Sequence, residues 1–362
     1  MLQHAGALGH ELVVVAPGPR DEETRVGDGG KIVRYRAPRM PYDPSYHAPI
    51  AISRMRSLVR ELAPDVLQLS SPFIPLWVGA SLSVPLRAYV HHADPIGCYV
   101  APLVNKHPLA GPLEAAAWGY LRRATDRCDV TIVAGKWLER ELTAHGCPRV
   151  RTVLFGIDHE QFSPEKRDEG LRRELLGPLA NDPEARLCLI AGRLAADKRQ
   201  SLAIEALELV ARKRPVGLVL LGDGPERERL EERARRLPNF TSLRFTRDRE
   251  EYSRLLASVD ALAHGSLCET FGFLLAECLA SGTPLVVPDR GGASDLGDGA
   301  HAERYGAFDG PEAMAHALER LLERPRAEVS VRARERARGI PSTRDHFSTL
   351  FGTYADLLAG PA

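Results

Sequence analysis

Short runs of β-branched and other apolar residues alternate along the chain with longer stretches in which apolar positions recur every three to four residues. In the first half the short runs are 11–16 (ELVVVA), 31–35, 65–69, 86–90 and 129–133, which read as strands. Helical spacing falls between them at 51–62, 113–126 and 137–145. The rhythm resumes in the second half with strand 187–191, helix 200–213, strand 217–221, helix 226–237 and strand 241–245. It continues with helix 250–257, strand 261–263, helix 272–281 and strand 284–288. Apolar strands separated by amphipathic helices predict parallel sheets covered by helices on both faces, twice over. The stretch VRTVLFGIDHEQFSP (150–164), a strand running into glycine and ending at proline, marks the junction. The expected fold class is α/β, with two doubly wound, Rossmann-like domains at 1–152 and 153–342. A closing helix at 343–362 is expected to pack back on the first. Ligands of open α/β sheets sit beyond the carboxyl ends of the strands, so the two domains should face each other across a ligand-binding cleft.

The opening residues break this pattern. Residues 5–9 followed by 10–16 read as the last turn of a helix, a glycine stop and a strand. A doubly wound domain ordinarily begins with a strand and a loop before such a helix. One reading is a helical start on a complete domain. The other, carried forward as the expectation, is a missing first strand and loop, with the start codon set too far downstream.

Length and composition narrow the class. A chain of 362 residues is too long for one ordinary core. Lys plus Arg balances Asp plus Glu at 48 each, so net charge gives no argument for a nucleic-acid partner. Only six of the cations are Lys, which makes any Lys at a strand end stand out. The six cysteines (98, 128, 147, 188, 268, 278) form no CxxC pair and fit the reduced thiols of a cytoplasmic protein better than disulfides or a zinc site. No apolar run reaches the roughly 18 to 20 residues that cross a bilayer. The start, MLQHAGALGHE, lacks the charged-then-apolar order of a signal peptide. Residues 48–62 (APIAISRMRSLVREL) interleave Ile50, Ile52, Met55, Leu58, Val59 and Leu62 with Arg54, Arg56 and Arg60. That mixture fits a basic helix lying on an anionic bilayer, but a core-facing helix with solvated arginines is the expectation.

The chemistry concentrates in three places. HGSLCETFGFLLAECLASGTP (264–284) sets Glu269 and Glu277 eight positions apart across a loop and the helix after it. Glu269 is expected at that helix's start, with Thr270, Phe271, Gly272 and Phe273, where unpaired N–H groups and the helix dipole favour a phosphate. Glu277 falls about one and a half turns in. Carboxylates there suit sugar and ribose hydroxyls, which donate hydrogen bonds to them. AGRLAADK (191–198) puts Gly192, Arg193 and Lys198 in a strand-to-helix loop, where a forked guanidinium and an ammonium suit a diphosphate. GDGP (222–225), opening on Gly222, and DRGG (289–292) supply glycines for turns or close ligand approach. Each feature also has a plainer reading: a helix-end charge and a surface glutamate, solvated cations, ordinary turns.

With these motifs in hand, ETFGFLLAE resembles the EX7E motif of retaining GT-B glycosyltransferases of family four, and AGRLAADK resembles that family's diphosphate motif. GDGPERERLE, SGTPLVVPDRGG and FGIDHEQFSP resemble further family segments, so the likeness covers nearly the whole chain. YVHHADPIGCY (89–99) is similar to a segment of subgroups that glycosylate lipids, including mannosyl and sulfoquinovosyl transferases, with Ala93 in place of the usual Thr. GHELVVVAP resembles the end of the family's first helix and the strand after it, while the preceding strand and Gly-rich loop have no counterpart. The resemblance implies retaining transfer from a nucleotide diphosphate sugar, GDP-mannose or a UDP-hexose, to a hydroxyl acceptor on a lipid or glycan. It implies no metal and no other cofactor. Carried over onto this chain, Glu269, His92 (or His91), Arg193 and Lys198 are the catalytic residues. Glu277, Gly192, Gly222, Thr270, Phe271, Gly272, Phe273 and Arg247 hold the donor. The implied location is cytoplasmic, at the inner membrane face where the acceptor is a lipid. Two rivals stay open: a catalytically impaired nucleotide-sugar-binding protein, and a GT-B UDP-sugar epimerase or hydrolase.

Overall fold

The computed structural model describes residues 1–40, 46–92, 94, 96–97 and 110–360. Ala93, Cys98 and Tyr99 of the histidine segment, and the end of the closing helix at 361–362, lie outside them.

In the first half the strands fall into two sheets. β1 (Leu12–Gly18) and β3 (Gly30–Arg36) run parallel, with β2 (Glu22–Val26) antiparallel on the outer edge of β3. β4 (Val66–Leu69), β5 (Leu86–His91), β6 (Val130–Val133) and β7 (Val150–Thr152) form a wholly parallel second sheet. Among the described residues no strand pairs with the free edge of β1 or with that of β4. One set of side chains nevertheless underlies both sheets. Leu12 of β1 and Val66 of β4 pack on a cluster formed by Leu86, Ala88, Ile132 and the closing helix Thr343–Ala359 through Leu350 and Tyr354. On the opposite face Val33 and Tyr35 meet Met55 and Leu58 of helix Ile52–Leu62. That arginine-bearing helix therefore faces the core, with Ile50 and Ile52 exposed at its start.

The second half is one parallel sheet of six strands. β8 (Arg186–Ala191), β9 (Val216–Leu221), β10 (Phe240–Leu243), β11 (Ala261–Ala263), β12 (Leu285–Pro288) and β13 (Ala302–Tyr305) lie in the order β10-β9-β8-β11-β12-β13. Alternate residues of one strand serve opposite faces: Leu187 and Leu189 join a core with Leu275 and Leu279, Cys188 and Ile190 one with Ile204 and Leu207. Burial on both faces is why these strands read as unbroken apolar runs. At the far end of the sheet buried Asp260 accepts from the Leu187 N–H (2.7 Å) and pairs with Arg172 (2.8 Å) and Arg326 (3.0 Å). Among the described residues no helix is long and apolar enough to cross a membrane. Cys128, Cys147, Cys188 and Cys278 are buried free thiols.

The chain passes between the halves at 153–157 and again at 341–343. The two crossings touch: Ile157 N–H donates to the Pro341 carbonyl at 3.0 Å. A Cβ on Gly156 would stand 2.2 Å from the Ser342 carbonyl oxygen, so the close approach requires glycine there.

Candidate active site

The loops leaving the carboxyl ends of β8, β9 and β11 are stacked on one another. Gly222 has φ +148°, and a Cβ there would lie 2.0 Å from the Gly192 carbonyl oxygen. A Cβ on Gly265 would lie 2.7 Å from the carbonyl oxygen of Arg199. These contacts seat the β11 loop on the turn that follows β8, and the consequence is a side-chain meeting. Lys198 Nζ donates to Glu269 Oε1 at 2.7 Å.

Burial alone would raise the Glu269 carboxyl, but His264, Lys198 and a hydrogen bond from Ser266 outweigh it and hold the group below the usual glutamate range. His264 is almost fully buried, and desolvation drives it down to about 4. At neutral pH it is an uncharged imidazole, so its charge acts on Glu269 only in acid and Lys198 is the positive charge on the pair at pH 7. His264 Nε2 faces Glu269 Oε1 at 3.7 Å and makes no hydrogen bond.

Helix Phe273–Ala280 starts four residues after Glu269 rather than at it. Gly272 precedes it in the left-handed region (φ +88°), and no side chain caps the first turn, so its N–H groups are open to a ligand. Thr270 Oγ1 donates to the His92 carbonyl at 2.9 Å and ties the two halves together. His92 stacks on Phe155 (6.2 Å, 9°), and Phe155 in turn stacks on Phe273 (5.1 Å, 24°) and meets buried Phe271 edge-on. His91 points elsewhere. It is buried, with Nδ1 2.7 Å from the Tyr89 hydroxyl, and burial lowers it to about 4. Of the histidine pair, His92 is the one on the cleft.

A cavity of about 480 Å³ lies between the halves, lined by His92, Phe155, Asp158, Arg249, Phe273 and Glu277 among others. Glu277 accepts from the Tyr252 hydroxyl at 2.9 Å, and burial raises its carboxyl despite that bond and nearby Arg249. Glu269, Lys198 and Arg193 do not line this cavity. Arg193 is 61% exposed, with its guanidinium on Asp197 (2.9 and 3.1 Å). Arg247 is exposed on the loop after β10. The cation beside Glu277 is Arg249, which also lies over the Phe162 ring.

Two family descriptions match the chain, Glycosyltransferase Family 4 over residues 1–161 and Glycosyl transferases group 1 over residues 172–339. A GDP-mannose-dependent alpha-mannosyltransferase of Corynebacterium glutamicum is 30% identical over 334 residues, spanning 89% of this chain and 75% of that protein. The chain belongs to glycosyltransferase family 4. A GDP-mannose-dependent alpha-(1-6)-phosphatidylinositol dimannoside mannosyltransferase of Mycobacterium tuberculosis is likewise 30% identical, over 91% of this chain and 84% of its own length. The solved structure of sucrose-phosphate synthase from Thermosynechococcus elongatus superposes with a TM-score of 0.76 at 18% identity, covering 99% of this chain and 92% of that one. The protein is thus a glycosyltransferase enzyme with the GT-B arrangement of two Rossmann-like domains.

Sequence reading missed several side chains of this glycosyltransferase that the fold brings to the site: His264, Tyr252, Arg249 and Phe155. His264 was within view, since a polar residue directly after the buried strand ALA is a local exception. Tyr252 reaches Glu277 from another helix, and no spacing rule links positions 25 apart.

Proposed function

We propose that this glycosyltransferase moves mannose from GDP-mannose, with retention, to a hydroxyl group of a lipid-borne or glycan acceptor. The observation that carries the reading is the Lys198–Glu269 pair at 2.7 Å, which joins the loops after β8 and β11, with an uncapped helix N-terminus four residues past Glu269. The relatives named as GDP-mannose-dependent support the choice of donor.

In this scheme Lys198, Arg193 and the first-turn amides near Phe273 hold the diphosphate and take up the charge that develops as it leaves. Gly192 and Gly222 let backbone approach the phosphates. Glu277, oriented by Tyr252, accepts from the ribose hydroxyls, and Arg249 lies beside the nucleoside. Glu269 accepts from hydroxyls of the sugar and stabilises the positive charge at its anomeric carbon. His92 borders the same carbon from the other domain. The acceptor oxygen bonds to the anomeric carbon on the face the phosphate leaves. The bond to the phosphate oxygen breaks, and that oxygen takes the acceptor's proton. Lys198, Arg193 and the helix amides are the charge-stabilising groups of this scheme, so the reaction is proposed to need no metal or other cofactor and to survive EDTA. A lipid acceptor would hold the protein peripherally at a membrane face.

Thermal unfolding with GDP, UDP and ADP tests the donor. A nucleotide at one hundred times its Kd adds about 2.7 kcal/mol, and GDP is expected to give the largest shift. Stabilisation by UDP or ADP alone would overturn the base assignment, and none by any of the three would overturn donor binding. NMR of the product formed from α-configured GDP-mannose should show an α-linkage, and a β-linkage would rule out retention.

A further inference from the structure

The strand order divides the second domain's rim into two sides around β11. Loops after β8 and β9 carry Arg193, Lys198 and Gly222, so the donor's diphosphate falls on that side. On the other side, over β12 and β13, a hollow of about 450 Å³ opens toward helix Lys136–Ala144 of the first domain. Its walls include Trp137, Glu141, Asp289, Arg290, Phe308 and Asp309. The hollow begins next to the sugar-holding loop, because Gly292, two residues past Arg290, donates its N–H to the Glu269 carbonyl at 2.6 Å. It also adjoins the His92 segment, since buried Asp94 feels the charges of both Glu141 and Arg290.

The composition of these walls selects a ligand class. Phe308 is 70% exposed, with the Arg290 guanidinium 5.8 Å from its ring centre. An exposed ring at a cleft presents an apolar face that suits the C–H face of a sugar ring. Three carboxylates accept hydrogen bonds from hydroxyls, and one guanidinium donates them. The same three negative charges against one positive charge disfavour a phosphate, and so polar a wall disfavours an acyl chain.

We propose that this hollow is the acceptor subsite and that it takes a neutral pyranose or cyclic polyol, one hydroxyl turned toward the anomeric carbon beside Glu269. The proposal rests on the donor reading above, which fixes where that carbon lies. Saturation-transfer NMR with methyl α-D-mannopyranoside and with myo-inositol, in the presence of saturating GDP, tests it. The unsubstituted protein is expected to give a signal with at least one probe. Phe308→Ala and Glu141→Gln should each weaken that probe's binding about tenfold, the worth of one good aromatic or charged contact. Their GDP affinity by calorimetry should stay within about twofold of the unsubstituted protein, since neither side chain lies on the diphosphate side. A signal that persists undiminished in either variant, or is absent from the unsubstituted protein with both probes, overturns the subsite alone. Absence of GDP binding overturns the donor reading and this proposal with it.

Discussion

Glu269 and Glu277 share one loop and helix but sit in opposite electrostatic surroundings. Lys198 and its neighbours hold the first below its ordinary range, while burial lifts the second above it. The roles proposed for them give separate expectations. Glu269→Ala and Lys198→Ala should each lower kcat by about 10²–10³, the scale for losing one preorganised charge-stabilising group. Circular dichroism should show the fold intact, and turnover within tenfold of the parent in either variant would remove that residue from the mechanism. Glu277→Gln behaves differently. Burial raises the Glu277 carboxyl, and a carboxyl whose folded value lies above its unfolded one loses stability as pH rises through that window, so Glu277 costs the fold more at pH 7 than at pH 4. Its amide analogue still accepts from Tyr252. The melting temperature should therefore rise by a few degrees at pH 7 but not at pH 4, while GDP binds more weakly. A fall at pH 7 would contradict the electrostatic account. The glutamates and Lys198 were legible because their spacing is local to one loop each. That His264 faces Glu269, and Arg249 faces Glu277, was not legible, because which polar side chains face a carboxylate depends on loop stacking that only Gly265 and Gly222 hint at.

At the scale of elements, the instructive case is helix Lys136–Ala144. Its N-cap is Gly135, which offers no side chain, so the sequence gives the helix no cap. The cap comes from the other domain: Asp295 Oδ2 accepts from the Trp137 N–H at 2.7 Å, and Oδ1 accepts from Arg140 at 3.3 Å. A Cβ on Gly135 would stand 3.0 Å from that carboxylate, so the missing side chain makes room for the partner. Asp295 thus clasps the domains beside the proposed acceptor hollow. Asp295→Ala is expected to cost about 1 kcal/mol, the usual worth of a helix cap, and to widen the particle in small-angle scattering without GDP. An unchanged radius of gyration together with unchanged stability would show that the clasp does not hold the cleft. Sequence reading could not have found this pair, 158 positions apart. It missed β2 for a related reason. EETRV is mostly exposed and charged, as an edge strand should be, and a search for apolar runs passes over it.

For the whole molecule, the alternation of apolar runs and amphipathic stretches was enough to foresee two α/β halves, because strands buried on both faces must be apolar throughout. It did not foresee that the first half would divide into two sheets, since pairing is a contact between distant segments and leaves no mark within β1 or β4. The same two-part build governs the response to acid. His91 in the first domain and His264 in the second are both buried and neutral, each lowered to about 4. Histidine in the unfolded chain titrates near 6.5. Between those values the unfolded state binds more protons than the fold, so stability falls as pH drops from about 6.5 to 4, by about 3 kcal/mol for each residue. His301 and His346 shift in the same direction. Because each domain carries its own buried histidine, both should loosen in the same pH window but for separable reasons. Hydrogen exchange at pH 5 resolves them: His91→Gln should restore protection in β4–β7 while leaving β8–β13 as labile as in the parent. Saturating GDP, whose proposed contacts all lie after residue 190, should protect the second set and spare the first. Equal recovery of both sets with either treatment would mean that the clasp at Asp295 couples the domains into one cooperative unit, and the domain-by-domain account of stability would fail.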